Sequence, residues 1–293
     1  MKPIVDIAGL TKSYGKSRGI TDLTFSIEEG EVFGFIGPNG AGKSTTIRTL
    51  LNIIFPTSGS AAIFGKDVVA HSREIRQQIG YLPSEVFYYD DMKVMDLIRF
   101  SAAFHRYRNE QRIAELAARL DLDLNRKIED LSFGNRKKVG IVQALLHEPR
   151  LLILDEPTGG LDPLMQNTFF ELLKEERAKG TTIFFSSHIL SEVQRLCDRV
   201  AIIKDGALIK VESVETLLRN NLRHITLTSK QPETIDLSGI AGIVKREIAG
   251  THLKLLYDGD MRSFVQGVAE CAFQDILIEE PSLDEIFLHY YTK

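Results

Sequence analysis

An α/β fold built on a mostly parallel sheet is what this sequence predicts, and three observations predict it. The apolar run Val32–Ile36 leads through GPNGAGKST, Gly37 to Thr45, into the helically spaced TTIRTLLNIIF. From Leu151 onward aliphatic runs alternate with helix-length segments, the pattern of βαβ units and a parallel sheet. Between them, Glu85 to Glu148 has helical periodicity and reads as an insertion into the α/β core.

Taken in order, IVDIAGL and LTFSIEEGEVFGFIG alternate apolar and polar residues, which predicts short strands and a hairpin, an antiparallel β subdomain ahead of the loop. Ala61 to Val68 reads as another short strand and turn, and IGYLPSE, Ile79 to Glu85, as a buried strand stopped by Pro83. Asp91 to Leu122 is rich in helix formers, and RKKVGIVQALLHEP is a further helix ended by Pro149. RLLILDEPTGG is a parallel-sheet strand, followed by a helix over Met165–Ala178, the strand TTIFFSS, a helix over Leu190–Asp198 and the strand RVAIIKDG. After Asn221 the texture changes. HITLTS, IVKREIA and HLKLLY read as strands, Met261–Ala272 as a helix, ILIEEP as a strand and SLDEIFLHYY as a closing helix. The expected domains are therefore 1–221, with a helical subdomain at about 85–148, and a small α+β domain at 222–293.

The loop carries the first chemistry. Gly37, Gly42, Lys43 and Ser44 satisfy G-x-x-x-x-G-K-[ST], and the strand-before, helix-after context separates a phosphate-binding loop from a chance glycine turn. Glycines let backbone N–H groups turn inward as an anion nest, and the helix that follows points its positive end at the same spot. Lys43 is expected on the β- and γ-phosphates and the Ser44 hydroxyl on Mg²⁺. Asp155 and Glu156 stand at the carboxyl end of LLILD, the sheet edge where ligands bind. An Asp there holds Mg²⁺ through water, and the adjacent Glu orients and deprotonates an attacking water. A surface acidic pair at a strand end is the bland alternative.

Composition narrows the field. Of 293 residues, 43% are hydrophobic and 26% charged, ordinary for a globular protein. The net charge of −4 gives no support to wide nucleic-acid contact, so no nucleic-acid partner is expected. Cys197 and Cys271 lack metal-ligand or disulfide spacing and read as buried thiols of a reducing compartment. MKPIVDIAGL lacks a signal-peptide core, and no apolar run approaches the ~18 residues of a membrane span. Work at a membrane would need another chain to cross it.

With these motifs in this order, the sequence resembles the ATP-binding subunits of ABC transporters from about Ile4 to Gly206. GPNGAGKST (Gly37, Pro38, Asn39, Gly40, Ala41, Gly42, Lys43, Ser44, Thr45) and LLILDEP match the two Walker motifs, and the resemblance implies a P-loop NTPase core that binds ATP and Mg²⁺. LSFGN, Leu131 to Asn135, sits where the family has its LSGGQ signature. Asp162 in GLDP gives the D-loop, and His188 in FFSSHIL is the switch histidine. Tyr14, 23 residues ahead of Gly37, sits where the family stacks an aromatic on adenine. By themselves a histidine after a buried strand is more often structural and Tyr14 an ordinary turn aromatic; the resemblance implies that His188 contacts the γ-phosphate beside the catalytic Glu156.

The family's signature acts in trans, so the resemblance implies an ATP-dependent dimer of two copies, with Ser132, Gly134 and Asp162 reaching the partner's nucleotide. Two departures stand out. The family's Gln after YLP, a Mg²⁺ ligand, is Ser84 here, followed by Glu85, and either it or a water is the substitute. Phe133 and Asn135 replace the signature's third and fifth residues, so function is expected to persist with altered packing at Phe133.

EEPSLDEIFLHYY resembles the ending of exporter ATPases that serve drugs, antibiotic peptides or polysaccharides. That implies separate membrane-spanning permease subunits and a place at the cytoplasmic face of the cell membrane. Phe87, Tyr88 and Tyr89 are either a docking surface for those subunits or core of the helical insertion. A ribosome-acting ABC ATPase would carry two cassettes, and a DNA-repair ATPase would place heptads in the 112 residues that separate Lys43 from Asp155. A non-hydrolysing ATP sensor is disfavoured by Glu156 and His188.

Overall fold

The computed structural model describes residues 3–15, 17–105, 107, 109–218, 222–269 and 271–279. The chain divides into two compact units, Met1–Glu212 and Ser213–Lys293.

In the first unit, β1 (Val5–Tyr14) and β2 (Ser17–Ile27) form an antiparallel hairpin. β3 (Val32–Ile36) leads to α1 (Lys43–Leu50); β4 (Ser58–Ile63), β5 (Lys66–Asp67), α2 (Ser72–Arg76) and β6 (Ile79–Leu82) follow. β1 also pairs antiparallel with β4, giving a four-stranded sheet in the order β2-β1-β4-β5. The region expected to be helical from Asp91 to Leu122 is two helices, α3 (Val94–Phe104) and α4 (Glu110–Arg119). The break has a local cause: Asn109 caps α4, its side-chain oxygen accepting from Arg112 N at 3.1 Å. α5 (Phe133–Leu145) completes the helical segment, starting at the cap Ser132 four residues ahead of the RKK run.

β7 (Leu151–Asp155), α6 (Pro163–Ala178), β8 (Thr182–Ser187), α7 (Leu190–Leu196), β9 (Arg199–Lys204) and β10 (Ala207–Ser213) complete a six-stranded sheet ordered β10-β9-β3-β8-β7-β6. All pairs from β9 through β6 are parallel. Every residue of β3, β7 and β8 is buried, as expected of central strands covered on both faces. Phe25 of β2 stacks on Phe33 of β3 with ring centroids 5.5 Å apart, and Phe184 of β8 lies 6.4 Å from Phe25, so aromatics fasten the antiparallel sheet to the parallel one. Each such buried side chain contributes ~1.5–3 kcal/mol by area burial. The helical segment is tied to the core by Arg112 of α4, which donates to the fully buried Glu176 of α6 at 2.6 Å. Together these elements are the mixed α/β fold that the strand–loop–helix pattern predicted.

The second unit holds α8 (Val214–Leu218), β11 (Leu222–Thr228), β12 (Ile243–Ala249), β13 (His252–Asp258), α9 (Met261–Val268) and β14 (Asp275–Glu279). Its antiparallel sheet runs β12-β13-β11-β14, with Gly250 in the hairpin between β12 and β13. Ile225, Leu227, Leu253 and Leu255 alternate inward and pack with Tyr257 and Phe264 into a separate core. α9 is shorter than the expected Met261–Ala272. Beyond its cap Ala269 the chain turns, and Gln274 N donates to Thr228 O at 2.7 Å, which draws it into β14. The expected closing helix SLDEIFLHYY, with the exporter-like ending, lies outside the described residues.

Candidate functional site

The glycine loop joins the carboxyl end of β3 to the first turn of α1. Gly42 caps the helix at φ 109°, and a Cβ there would lie 2.7 Å from Ile20 Cγ2, so both backbone and space demand glycine. No side chain caps α1 and no acidic residue sits in its first turn, leaving the N–H donors of that turn without a competing side chain. A cleft of about 420 Å³ opens here, lined by Asn39, Gly40, Gly42, Lys43, Ser44 and Thr45 of the loop together with Gly19, Ser84 and Glu156. The remaining loop residues support it from behind. Gly37 and Pro38 offer their carbonyls to Lys43 Nζ at 2.7 and 3.2 Å, and the carbonyl of buried Ala41 accepts from Gly206 N.

Lys43, Glu156 and His188 converge beside the cleft. Lys43 Nζ lies 3.1 Å from Glu156 Oε1, and His188 Nδ1 lies 3.3 Å from that same oxygen. Burial raises the Glu156 pKa, but the hydrogen bond and charge of Lys43, then His188, outweigh it and hold the carboxyl below its ordinary value. Glu156 adopts φ 47°, uncommon for a residue with a Cβ; its N–H donates to Ser186 O at 3.1 Å. His188 follows a turn set by Ser187, whose hydroxyl donates to Glu192 at 2.7 Å and accepts from Ile189 N at 2.9 Å.

Asp155, at the end of β7, is 1% exposed. Its Oδ1 accepts from Ser186 Oγ at 2.7 Å, while Oδ2 is buried without a hydrogen-bond partner. A buried carboxylate oxygen left unpaired is costly unless a cation or water meets it. With the Ser44 hydroxyl lining the cleft, the donors are the hard oxygens that Mg²⁺ prefers. Ser84 reaches the cleft, whereas Glu85 is exposed and outside its lining.

The other expected residues stand elsewhere. Tyr14 is 46% exposed at the turn end of the hairpin, paired with Ser17, 5.3 Å from Lys12 Nζ by its ring centroid, and outside the cleft lining. Ser132 caps α5 by accepting from Asn135 N at 3.3 Å, and Asp162 caps α6 by accepting from Met165 N at 2.9 Å. Neither lines the cleft. Gly134 approaches Gly160: an added Cβ would sit 2.6 Å from Gly160 O. The Phe133 ring packs over Gly160 as well and remains 55% exposed. The three aromatics ahead of α3 divide, with Phe87 and Tyr89 84% and 64% exposed and Tyr88 turned toward Gly140 of α5.

Two contributors escaped the sequence reading. Gly19 of β2 lines the cleft, and β2 passes so close to β1 there that a Cβ would overlap Lys12 O. Lys137 is fully buried on α5, and its Nζ donates to Pro83 O, Ser84 O and Glu156 O. Burial pushes its ammonium down to about 8, while Asp155 and Glu156 pull the other way. One signal pointed to it: Lys137 precedes Ile141, Ala144 and Leu145 on the buried stripe of the helix, a position for an apolar residue.

Among the described residues no helix is long and apolar enough to cross a membrane, and no group of three or more His, Cys, Asp or Glu could hold a metal by itself. The family model described as ABC transporter matches residues 20–159. The chain is 37% identical over 232 residues to a bacitracin transport ATP-binding protein of Bacillus licheniformis, covering 77% of this chain and 74% of that one. It is 32% identical over 299 residues to a Nod factor export ATP-binding protein of Rhizobium sp. (strain N33), covering 98% and 96%. The dimeric structure of a bacterial ABC transporter cassette superposes with a TM-score of 0.66 at 25% identity, covering 72% of this chain and 98% of that one. With a glycine loop, an acidic strand end and a fold shared across that span, the chain belongs to the ABC transporter family, as one of its ATP-binding, ATP-hydrolysing subunits.

Proposed function

We propose that two copies of this chain, each holding Mg²⁺ and ATP at the glycine loop, hydrolyse ATP to drive export of a drug-, peptide- or lipid-like molecule through separate permease subunits. The observation that carries the catalytic part is the convergence of Lys43 and His188 on Glu156 Oε1 beside the loop. Lys43 binds the phosphates as a point charge, and the loop N–H groups cradle them. Glu156, its carboxyl held ionised, takes a proton from the attacking water, and His188 orients that water against the γ-phosphate. Asp155 and Ser44, with Ser84 beside them, would hold Mg²⁺, which supplies charge neutralisation of the phosphates. Tyr14 is the adenine-stacking residue, and Ser132, Gly134 and Asp162 serve the partner copy's nucleotide. The nucleotide-binding domain is the first compact unit, with its helical subdomain at about 85–148; the C-terminal unit is an accessory domain.

Export is supported by likeness to the bacitracin and Nod factor proteins. The exposed Phe87 and Tyr89 support a docking surface for the permease, and with it a peripheral position at the cytoplasmic face of the membrane. The test is phosphate release by the purified chain with Mg-ATP against ATP plus chelator, alone and with a candidate permease subunit reconstituted in vesicles. Magnesium-dependent release, raised by the vesicles, is expected. Release that ignores magnesium would overturn the metal assignment, and vesicles without effect would overturn the coupling.

A further inference from the structure

Lys137 buries an ammonium with which, among the described residues, no carboxylate directly pairs. Its Nζ lies 2.9 Å from Pro83 O, 2.9 Å from Ser84 O and 3.3 Å from Glu156 O, so each of its three protons has a carbonyl. An ammonium that deep is tolerated only when its donors are used. The three carbonyls belong to two chain segments. Pro83 and Ser84 leave β6, and Glu156 leaves β7; these strands pair in parallel up to Leu82 and Leu154, where the ladder between them stops. Beyond that edge Lys137 takes over the fastening, from a third element, α5.

Glu156 needs such a hold. Its φ of 47° is a conformation that persists only when neighbours over-determine it. On the amide side Ser186 does so, receiving the Glu156 N–H on its backbone carbonyl at 3.1 Å and on its hydroxyl at 3.2 Å. On the carbonyl side the partners are Lys137 Nζ at 3.3 Å and, from the chain's own next turn, the Gly159 N–H at 3.5 Å.

We propose that Lys137 is a positioning residue: it locks the Ser84 loop and the Glu156 backbone into one unit, so that the base and the loop beside the metal site move together with α5. The inference rests on the reading of Glu156 as the base. α5 is also the helix that Ser132 and Gly134 open, so its displacement would reach both loops through one side chain.

The test compares Lys137→Met, which keeps the stem and removes every donor, with Lys137→Gln, which keeps two donors one atom shorter. In the full chain, Lys137→Met should lower kcat for Mg-ATP tenfold or more while affinity for a non-hydrolysable ATP analogue changes less than threefold. Lys137→Gln should recover part of kcat. Amide hydrogen exchange in peptides covering residues 80–90 should quicken at least tenfold in Lys137→Met, with exchange in the C-terminal unit unchanged. A kcat within twofold of wild type, unchanged exchange, or affinity falling in step with kcat would each overturn the proposal. Should Lys137→Met not fold, Lys137→Gln carries the same comparison with smaller expected changes. A wild-type chain that turns over no ATP defeats the hydrolysis reading instead, and the exchange measurement then decides the positioning role by itself.

Discussion

Lys43 Nζ and Glu156 Oε1 are 3.1 Å apart, and the lysine is 4% exposed while the glutamate is 29% exposed. The lysine is thus held by the loop carbonyls and by the residue read as the base, and a γ-phosphate entering the cleft competes with that carboxylate for the ammonium. Both groups contribute to the cleft's charge, with different consequences on removal.

Glu156→Gln removes the base and the anion that competes for Lys43, leaving the phosphate contacts. Steady hydrolysis should fall by ~10²–10⁴, the contribution of a positioned general base. ATP affinity should be unchanged or tighter, and sedimentation should find the variant dimeric in Mg-ATP and monomeric without it. Turnover near wild type defeats the assignment; a variant monomeric at saturating ATP speaks against trans contacts by Ser132 and Gly134.

Lys43→Ala acts on the other partner. It removes the point charge expected on the phosphates and leaves Glu156 without the ion pair that lowers its pKa, so the Glu156 carboxyl should titrate higher. Equilibrium titration should find ATP affinity reduced about tenfold or more, the loss expected for a charge-assisted hydrogen bond. Unchanged affinity would contradict the phosphate-loop reading.

Ser84 and Glu85 separate by position. Ser84 lines the cleft, whereas Glu85 points to solvent. Ser84→Gln should alter the magnesium dependence of hydrolysis, because a Gln carbonyl extends farther from Cβ and Mg²⁺ takes ligands at ~2.0–2.1 Å. Glu85→Ala should be nearly silent. ATPase rates across a magnesium series decide; the reverse outcome assigns the metal contact to Glu85.

His147 sets an acid limit on stability. It stacks on His105 with ring centroids 3.6 Å apart, and its Nε2 lies 3.1 Å from Ile79 O. Burial, and secondly the His105 charge, push its pKa down to about 4. An unfolded histidine titrates at ~6.5, so between there and pH 4 the unfolded chain binds more protons and stability falls as pH falls. Urea unfolding should show wild type losing roughly 2–3 kcal/mol more than His147→Phe between pH 7 and 4.5. Parallel losses would remove His147 as the cause.

What a contiguous pattern encodes was readable from the residues alone. Strand, glycine loop and helix from Val32 to Leu50, the buried run ending at Asp155, and the alternation of strands and helices after it were legible because local backbone geometry and burial periodicity fix them. The break between α3 and α4 was less so, because it depends on one Asn109 cap inside an otherwise helical composition.

Which distant side chains meet depends on how the elements pack. Lys43 opens α1 after the loop that leaves β3, Glu156 and His188 follow β7 and β8, and the three meet at one carboxylate oxygen because those strands lie adjacent in the sheet order. Gly19 of β2 reaches the cleft, and Phe133 meets Gly160 across two helix starts. Lys137 is the clearest case. A lysine in an RKK run reads as solvated charge, and only the convergence of β6, β7 and α5 turns its three donors toward Pro83, Ser84 and Glu156. Periodicity reports which face of an element is buried; the partner on that face is set by how the elements pack, which no local stretch of residues records.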